Sequence, residues 1–75
     1  MPKLPRITAR ETERAIVRDG WFHIGGSGSH RQYEHPTKTG AVTIAFHSGD
    51  IIGPRTLTSI IRQAGLTVDQ FRKLL

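Results

Sequence analysis

The chain has 75 residues, with 11 lysines and arginines against 6 aspartates and glutamates, for a formal charge of +5. We expect residues 1–75 to form one domain, and a domain of this size buries only about 60% of its unfolded surface, which excludes a deep, closed cavity. The absence of cysteine excludes disulfides and thiolate zinc sites and is compatible with a reducing cytoplasm. No apolar run approaches the roughly 20 residues of a membrane span, and the first five residues lack a signal-peptide core. The size of the domain therefore predicts a shallow site, and its charge predicts that the site binds a polyanion such as RNA, DNA or an acidic protein.

The first predicted element is a helix. Thr8 and Glu11 have the spacing of a capping box, in which each side chain bonds the other residue's backbone amide. We therefore expect a helix over about residues 8–19, ended by Gly20. The predicted inward face consists of Ala9, Thr12, Ala15 and Ile16.

Three arginines form a ridge on the opposite side of this helix: Arg10, Arg14 and Arg18. Like charges four residues apart destabilise a helix by a few tenths of a kcal/mol, and bound phosphates would relieve that repulsion. The arginine ridge is thus a candidate RNA contact, and a solvated basic face is the alternative interpretation.

A three-stranded antiparallel sheet is predicted to follow. The strands are expected over about residues 21–24, 30–35 and 41–47. The glycines at positions 25, 26 and 28 are expected to close the first strand, and a short hairpin loop at 36–40 to join the second to the third. In the third strand, alternation puts Val42, Ile44 and Phe46 on one face.

Two helices complete the predicted α+β fold. Residues 54–64 have apolar side chains at helical spacing, with Gly65 as the stop: Leu57, Ile60, Ile61 and Ala64. Thr67 and Gln70 form a second capping box, which predicts a short terminal helix with Phe71, Leu74 and Leu75 turned toward the core. In such a fold the helices cover one face of the sheet and leave the other available.

Histidine is the candidate reactive side chain, because its unperturbed pKa suits proton transfer near neutrality. His30 is the favoured candidate, since it directly follows a glycine-serine turn that lets a ligand approach the backbone. His47 is a second candidate, beside the turn at Ser48 and Gly49. His23 and His35 are interpreted as an exposed strand residue and a turn residue. Arg31 and Tyr33 follow His30 as a phosphate-binding and a base-stacking group would.

Three other kinds of site fit the pattern less well. Ser29 and His30 are adjacent, so a strand would point them to opposite faces and a nucleophile pair would form only within the turn. His30 and His35 are five residues apart, so a strand would also point them to opposite faces, which disfavours a metal site formed by them with His47. The glycine cluster lacks the Lys-Ser/Thr ending of a phosphate-binding loop. No metal and no cofactor is therefore expected.

Taken together, the motifs resemble the HicA toxins of bacterial type II toxin–antitoxin pairs, which have a double-stranded-RNA-binding-domain-like (dsRBD-like) fold. The matching residues are Gly20-Trp21, Gly28-Ser29-His30 with Tyr33 and His35-Pro36, Val42-Thr43-Ile44 with His47, Thr56-Leu57, Ile60-Ile61, Ala64-Gly65 and Phe71. The resemblance covers nearly the whole chain. It implies an mRNA interferase in the cytoplasm, whose catalytic residue is His30 and whose partner is an acidic antitoxin of the HicB type.

The expected reaction is metal-independent transesterification, in which His30 moves the proton of the 2′-OH or of the leaving oxygen. The second proton carrier is left open among His47, Tyr33 and water. Arg31 and Lys38 are candidates to offset phosphate charge, and the arginine ridge to bind phosphates farther along the strand. A non-catalytic RNA-binding module and a small basic protein-interaction domain are the alternatives.

Overall fold

A computed structural model, which describes residues 3–47 and 49–75, has three helices and a three-stranded sheet. The elements in chain order are α1 (Ala9–Arg18), β1 (Phe22–Ser27), β2 (His30–Glu34), β3 (Val42–Ala45), α2 (Pro54–Gln63) and α3 (Val68–Arg72). The sheet is antiparallel with the order β1-β2-β3, which confirms the predicted α+β arrangement. None of the helices in the described ranges is long and apolar enough to cross a bilayer.

Both predicted capping boxes are present. The Thr8 hydroxyl accepts from the Glu11 amide at 3.2 Å, and the Glu11 carboxylate accepts from the Thr8 amide at 3.0 Å. Thr67 and Gln70 repeat the arrangement at the start of α3. The buried residues of α1 are the predicted ones, Ala9, Thr12, Ala15 and Ile16.

The core lies between the helices and one face of the sheet. Tyr33 and Val42 are directly paired across β2 and β3, so their side chains share a face, and both are fully buried. α1 and α2 pack against β3 on this face, and Phe71 of α3 adds a fully buried ring. The other face of the sheet stays open, as expected.

The open face is defined by the strand register. His30 is paired with Ala45, and both belong to the alternate set that points away from the core. The open face so defined consists of Phe22, Gly25, Ser27, His30, Gln32, Glu34, Thr43 and Ala45. None of these positions is lysine or arginine. Arg31, the one such residue in the described strands, lies on the helix side of the sheet.

Several details differ from the prediction. β1 continues through Gly25 and Gly26 to Ser27. These glycines lie beside a β-bulge and adopt φ of +146° and +149°, a backbone conformation that would be strained for other residues. Trp21 precedes β1 and is buried, with its indole N–H donating to the Asp19 carboxylate at 3.1 Å. β3 is shorter than expected and ends at Ala45. Leu75, predicted to face the core, is 46% exposed.

Candidate functional site

His30 is the first residue of β2 and lies at one end of the open face. The two-residue turn at Gly28 and Ser29 reverses the chain directly before it, so that Ser27 of β1 is paired with His30. On its other side His30 is paired with Ala45 of β3. The imidazole thus stands on the middle strand, beside small side chains that do not cover it.

The His30 ring is exposed and makes no hydrogen bond within residues 3–47 and 49–75. His35 is the opposite case. Its Nδ1 accepts from the amides of Thr37 and Lys38 at 3.1 Å each, and its Nε2 therefore carries the proton and donates to the Asp19 carbonyl at 2.6 Å. His35 braces a loop, as its interpretation as a turn residue implies, whereas both nitrogens of His30 are available to a ligand.

Gly26 lies close to the backbone of His30. A Cβ built on Gly26 would lie 1.9 Å from the His30 carbonyl oxygen, a distance that only displacement of the backbone would relieve. Because that atom belongs to the candidate residue itself, glycine at this position allows β1 to approach His30 closely.

Replacing Gly26 by alanine is expected to damage both the fold and the site. Gly25→Ala is the matched control, because Gly25 has nearly the same φ but open space around its Cβ position. Backbone strain should cost Gly25→Ala about 1–3 kcal/mol in the free energy of unfolding, and the clash should cost Gly26→Ala about 1–3 kcal/mol more. Denaturant unfolding measures the difference, and equal losses in the two variants would contradict the role of the close approach.

His47 is close to His30 along the sheet. The amide of Phe46 donates to the carbonyl of Ser29 at 2.8 Å, which extends the β2–β3 ladder one step beyond the pair of His30 and Ala45. His47 is the next residue and is exposed. The structure therefore brings both candidate histidines to the same end of the sheet. Ser48, part of the predicted turn beside His47, lies outside the described residues.

Arg31 points to the helix side of the sheet rather than toward His30. Its guanidinium pairs with the Glu13 carboxylate at 3.2 Å, and its Cζ lies 4.0 Å from the centroid of the Phe46 ring. Strand alternation is the cause, because neighbours on β2 point to opposite faces. Arg31 thus contacts Glu13 and Phe46 on the face of β2 opposite to His30.

Tyr33 is a fully buried core residue, which argues against its predicted roles as a base-stacking group and a proton carrier. Its ring is on the helix side of β2, and its hydroxyl donates to the Glu13 carboxylate. Burial raises the pKa of the Tyr33 phenol, and the hydrogen bond and negative charge of Glu13 raise it further. Its hydroxyl therefore stays protonated at neutral pH, on the face of β2 opposite to His30.

Lys38 lies in the loop at the far end of β2, away from His30. Its amine donates to the Asp19 carboxylate at 2.6 Å and to the Ala64 carbonyl at 3.0 Å, which ties the loop to the ends of α1 and α2. This contact gives Lys38 a structural role and leaves no support for its predicted contact with the phosphate at His30.

The arginine ridge lies on α1, on the helix side of the molecule. Arg10 and Arg14 are exposed, as predicted. Arg18 is also exposed, but its guanidinium donates to the Leu74 carbonyl at 2.7 Å and so helps to hold the C-terminus. Arg10 and Arg14 are therefore the members of the ridge better placed to meet a ligand.

Glu13 is a residue that sequence reasoning missed. Its carboxylate accepts from both Arg31 and Tyr33, so one acid organises the helix side of β2. No local pattern indicates this role, because its partners lie 18 and 20 residues away along the chain. Within the described ranges, no three histidine, aspartate or glutamate side chains are grouped as a metal site would require.

The sequence matches a known protein family over most of its length. The model of a family described as "HicA toxin of bacterial toxin-antitoxin" matches residues 9–66. The matched segment includes the turn before His30 and all three strands. Among curated proteins, no significant match to the sequence is found.

Proposed function

The chain belongs to the HicA family of toxins of bacterial toxin–antitoxin systems, and from this we propose that it is an endoribonuclease that cleaves mRNA with His30 as its catalytic residue. The observation that carries the proposal is the state of His30. Its ring is exposed on the open face of the sheet, with no hydrogen bond to another described residue, at a turn that a ligand can approach. An imidazole whose two nitrogens are both available can act as a general acid or base toward a bound substrate.

The proposed reaction is an internal transesterification. The ribose 2′-oxygen attacks the adjacent phosphorus and loses its proton to His30, the bond from phosphorus to the 5′-oxygen breaks, and an acid returns a proton to the leaving oxygen. The products are a 2′,3′-cyclic phosphate and a 5′-hydroxyl. One positioned acid or base contributes about 10²- to 10⁴-fold, so a toxin with a single histidine would be a slow enzyme.

His47 and water remain as candidates for the second proton carrier. His47 is exposed at the same end of the sheet as His30, whereas Tyr33 is buried on the other face of β2. His47 would thus give up or take the second proton without any rearrangement of the core.

The positive charge that holds the RNA would come mainly from the helix side. The open face around His30 has no lysine or arginine in the described strands, and Arg31 and Lys38 are paired with Glu13 and Asp19. The arginine ridge therefore remains the best candidate for binding phosphates farther along the strand. An RNA strand bound at both places would pass around an edge of the molecule.

Replacing Arg10, Arg14 and Arg18 by glutamine is expected to reduce the salt dependence of RNA binding. Each phosphate neutralised on a single strand contributes about −0.7 to the slope of log K against log salt, so the slope should flatten by up to about 2. Titrations at several salt concentrations measure it. A variant with Arg55, Arg62 and Lys73 replaced by glutamine has the same net charge and is the control. Equal flattening in both variants would make the ridge an ordinary solvated face.

Membership of this family implies an antitoxin protein as partner. We propose that this partner is of the HicB type and has an acidic surface, because the chain has a formal charge of +5. Action on mRNA would place the toxin in the cytoplasm.

Purified protein and a synthetic RNA distinguish the proposed enzyme from the two alternatives. Cleavage and binding are measured on the same RNA at low salt. Cleavage supports the nuclease, binding without cleavage supports an RNA-binding module, and no affinity supports a protein-interaction domain. The last two results would each overturn the proposal.

A further inference from the structure

A cleft lies between the start of α1 and the segment that follows β3. Its volume is about 380 Å³, within the usual range for small-molecule sites. The lining residues are Thr8, Ala9, Arg10, Phe46, His47 and Gly49. No acidic residue belongs to this described lining, which includes an arginine, a histidine and a phenylalanine.

Arg10 supplies the formal positive charge of the cleft. Arg10 is exposed and borders the cleft, and His47 borders it from the other side. Two such groups facing one space suit an anionic group such as a phosphate.

Phe46 supplies an apolar wall. The ring is half-buried, and Arg31 covers it from the helix side of the sheet, which fixes its position. Aromatic rings beside basic side chains are the usual means by which proteins bind single-stranded RNA, because every base has a face that can stack. The cleft thus combines a place for a phosphate with a place for a base.

Two of the cleft residues, Phe46 and His47, follow directly after the pair of His30 and Ala45. His30 is paired with Ala45, and His47 follows Ala45 by two residues, which span about 7 Å in an extended chain. The bond from the Phe46 amide to the Ser29 carbonyl holds the two segments together at this point.

We infer that this cleft binds the nucleotide of single-stranded RNA next to the one cleaved at His30, with its phosphate against Arg10 and His47 and its base against Phe46. The adjacency to a cleaved nucleotide rests on the proposed function, whereas the binding of RNA in the cleft does not. An acidic segment of a protein is the competing occupant.

The test is a titration of the full chain with a tetranucleotide that is 2′-O-methylated throughout and so cannot be cleaved by the proposed route. Amide NMR signals of Arg10, Phe46, His47 and Gly49 should shift on binding. Arg10→Gln should raise the dissociation constant about tenfold, the effect of losing one charged hydrogen bond. Arg14→Gln, one turn farther along the ridge, should have a smaller effect. Arg55→Gln is the matched control outside the cleft and should change the constant less than twofold.

A second arm tests the wall for the base. Phe46→Leu keeps an apolar side chain but removes the ring, and it should weaken binding of the tetranucleotide without changing the affinity for the same tetranucleotide lacking its bases. Equal losses for the two probes would overturn stacking on Phe46.

Further outcomes would overturn the inference as a whole. These are equal effects of Arg10→Gln and Arg55→Gln, NMR shifts confined to residues outside the cleft, or equally tight binding of a hexaglutamate peptide at the cleft. Because the probe is not cleaved, this result is independent of the nuclease assay. Binding in the cleft without cleavage of ordinary RNA would remove the nuclease and keep the subsite, and cleavage without binding in the cleft would do the reverse.

Discussion

Replacing His30 by alanine is expected to abolish both the growth arrest and the mRNA degradation that follow expression of the chain in bacteria. The physical reason is the loss of the exposed imidazole at the turn before β2, since a positioned acid or base contributes about 10²- to 10⁴-fold to such a reaction. Cell growth and the integrity of a reporter mRNA are the measurements.

The loss of activity must be separated from a loss of folding. The ring of His30 is exposed and makes no hydrogen bond within residues 3–47 and 49–75, so alanine should change the free energy of unfolding by no more than about 0.5 kcal/mol. His23→Ala is a matched control. His23 is also an exposed strand histidine, but it lies on the helix side, where its ring is 5.5 Å from that of Tyr33. Growth arrest by a folded His30→Ala variant, or its equal loss in His23→Ala, would refute the catalytic assignment.

The helices could be predicted from the sequence because their signals are local. A capping box joins residues three apart, and an apolar stripe repeats within one helix, so no distant contact decides the outcome. The predictions for α1 and α2 are accordingly confirmed to within one residue at each end. The end of β1 is harder to predict, because glycines usually end a strand, whereas Gly25 and Gly26 form part of one here.

The face of each β2 side chain could not be predicted in the same way. Residues 30–34 contain a single apolar side chain, Tyr33, so no alternation indicates which face of the strand is buried. Pairing with β3 settles it, since Tyr33 lies opposite Val42 and Arg31 opposite Ile44. Strand alternation then places His30 on the open face and separates it from the two residues that were expected to assist it.

Because Arg31 and Lys38 lie away from His30, another cation would have to neutralise the phosphate charge in the proposed reaction. Both cations are predicted to offset charge on the phosphate, yet each contacts an acid of α1 or of its C-cap: Glu13 for Arg31 and Asp19 for Lys38. These ion pairs attach the sheet and its loop to α1. Arg10 borders the cleft together with His47, and its side chain makes no hydrogen bond or ion pair with another described residue.

Cleavage of RNA by the purified chain is expected to persist in EDTA and to leave 2′,3′-cyclic phosphate and 5′-hydroxyl ends. Attack by the 2′-oxygen needs proton transfer, which a histidine can supply, and charge neutralisation, which arginines can supply. A substrate with a 2′-O-methyl group at the cleaved nucleotide should therefore resist cleavage completely, because its attacking oxygen cannot lose a proton. The measurements are the end groups of the products and the rates with and without chelator.

The control for the methylated substrate is the same RNA with the methyl group one nucleotide away, which keeps the attacking hydroxyl and should be cleaved. The end groups separate this reaction from direct attack by water, because hydrolysis that expels the 3′-oxygen leaves a 5′-phosphate and does not involve the 2′-hydroxyl. Products with a 5′-phosphate, or activity that is lost in EDTA and returns with a divalent ion, would refute transesterification by His30 even if mRNA were the true substrate. The ring of His30 is exposed on a face of the sheet without lysine or arginine, and it would take the proton of the 2′-hydroxyl directly, which is the route in which the RNA supplies its own nucleophile.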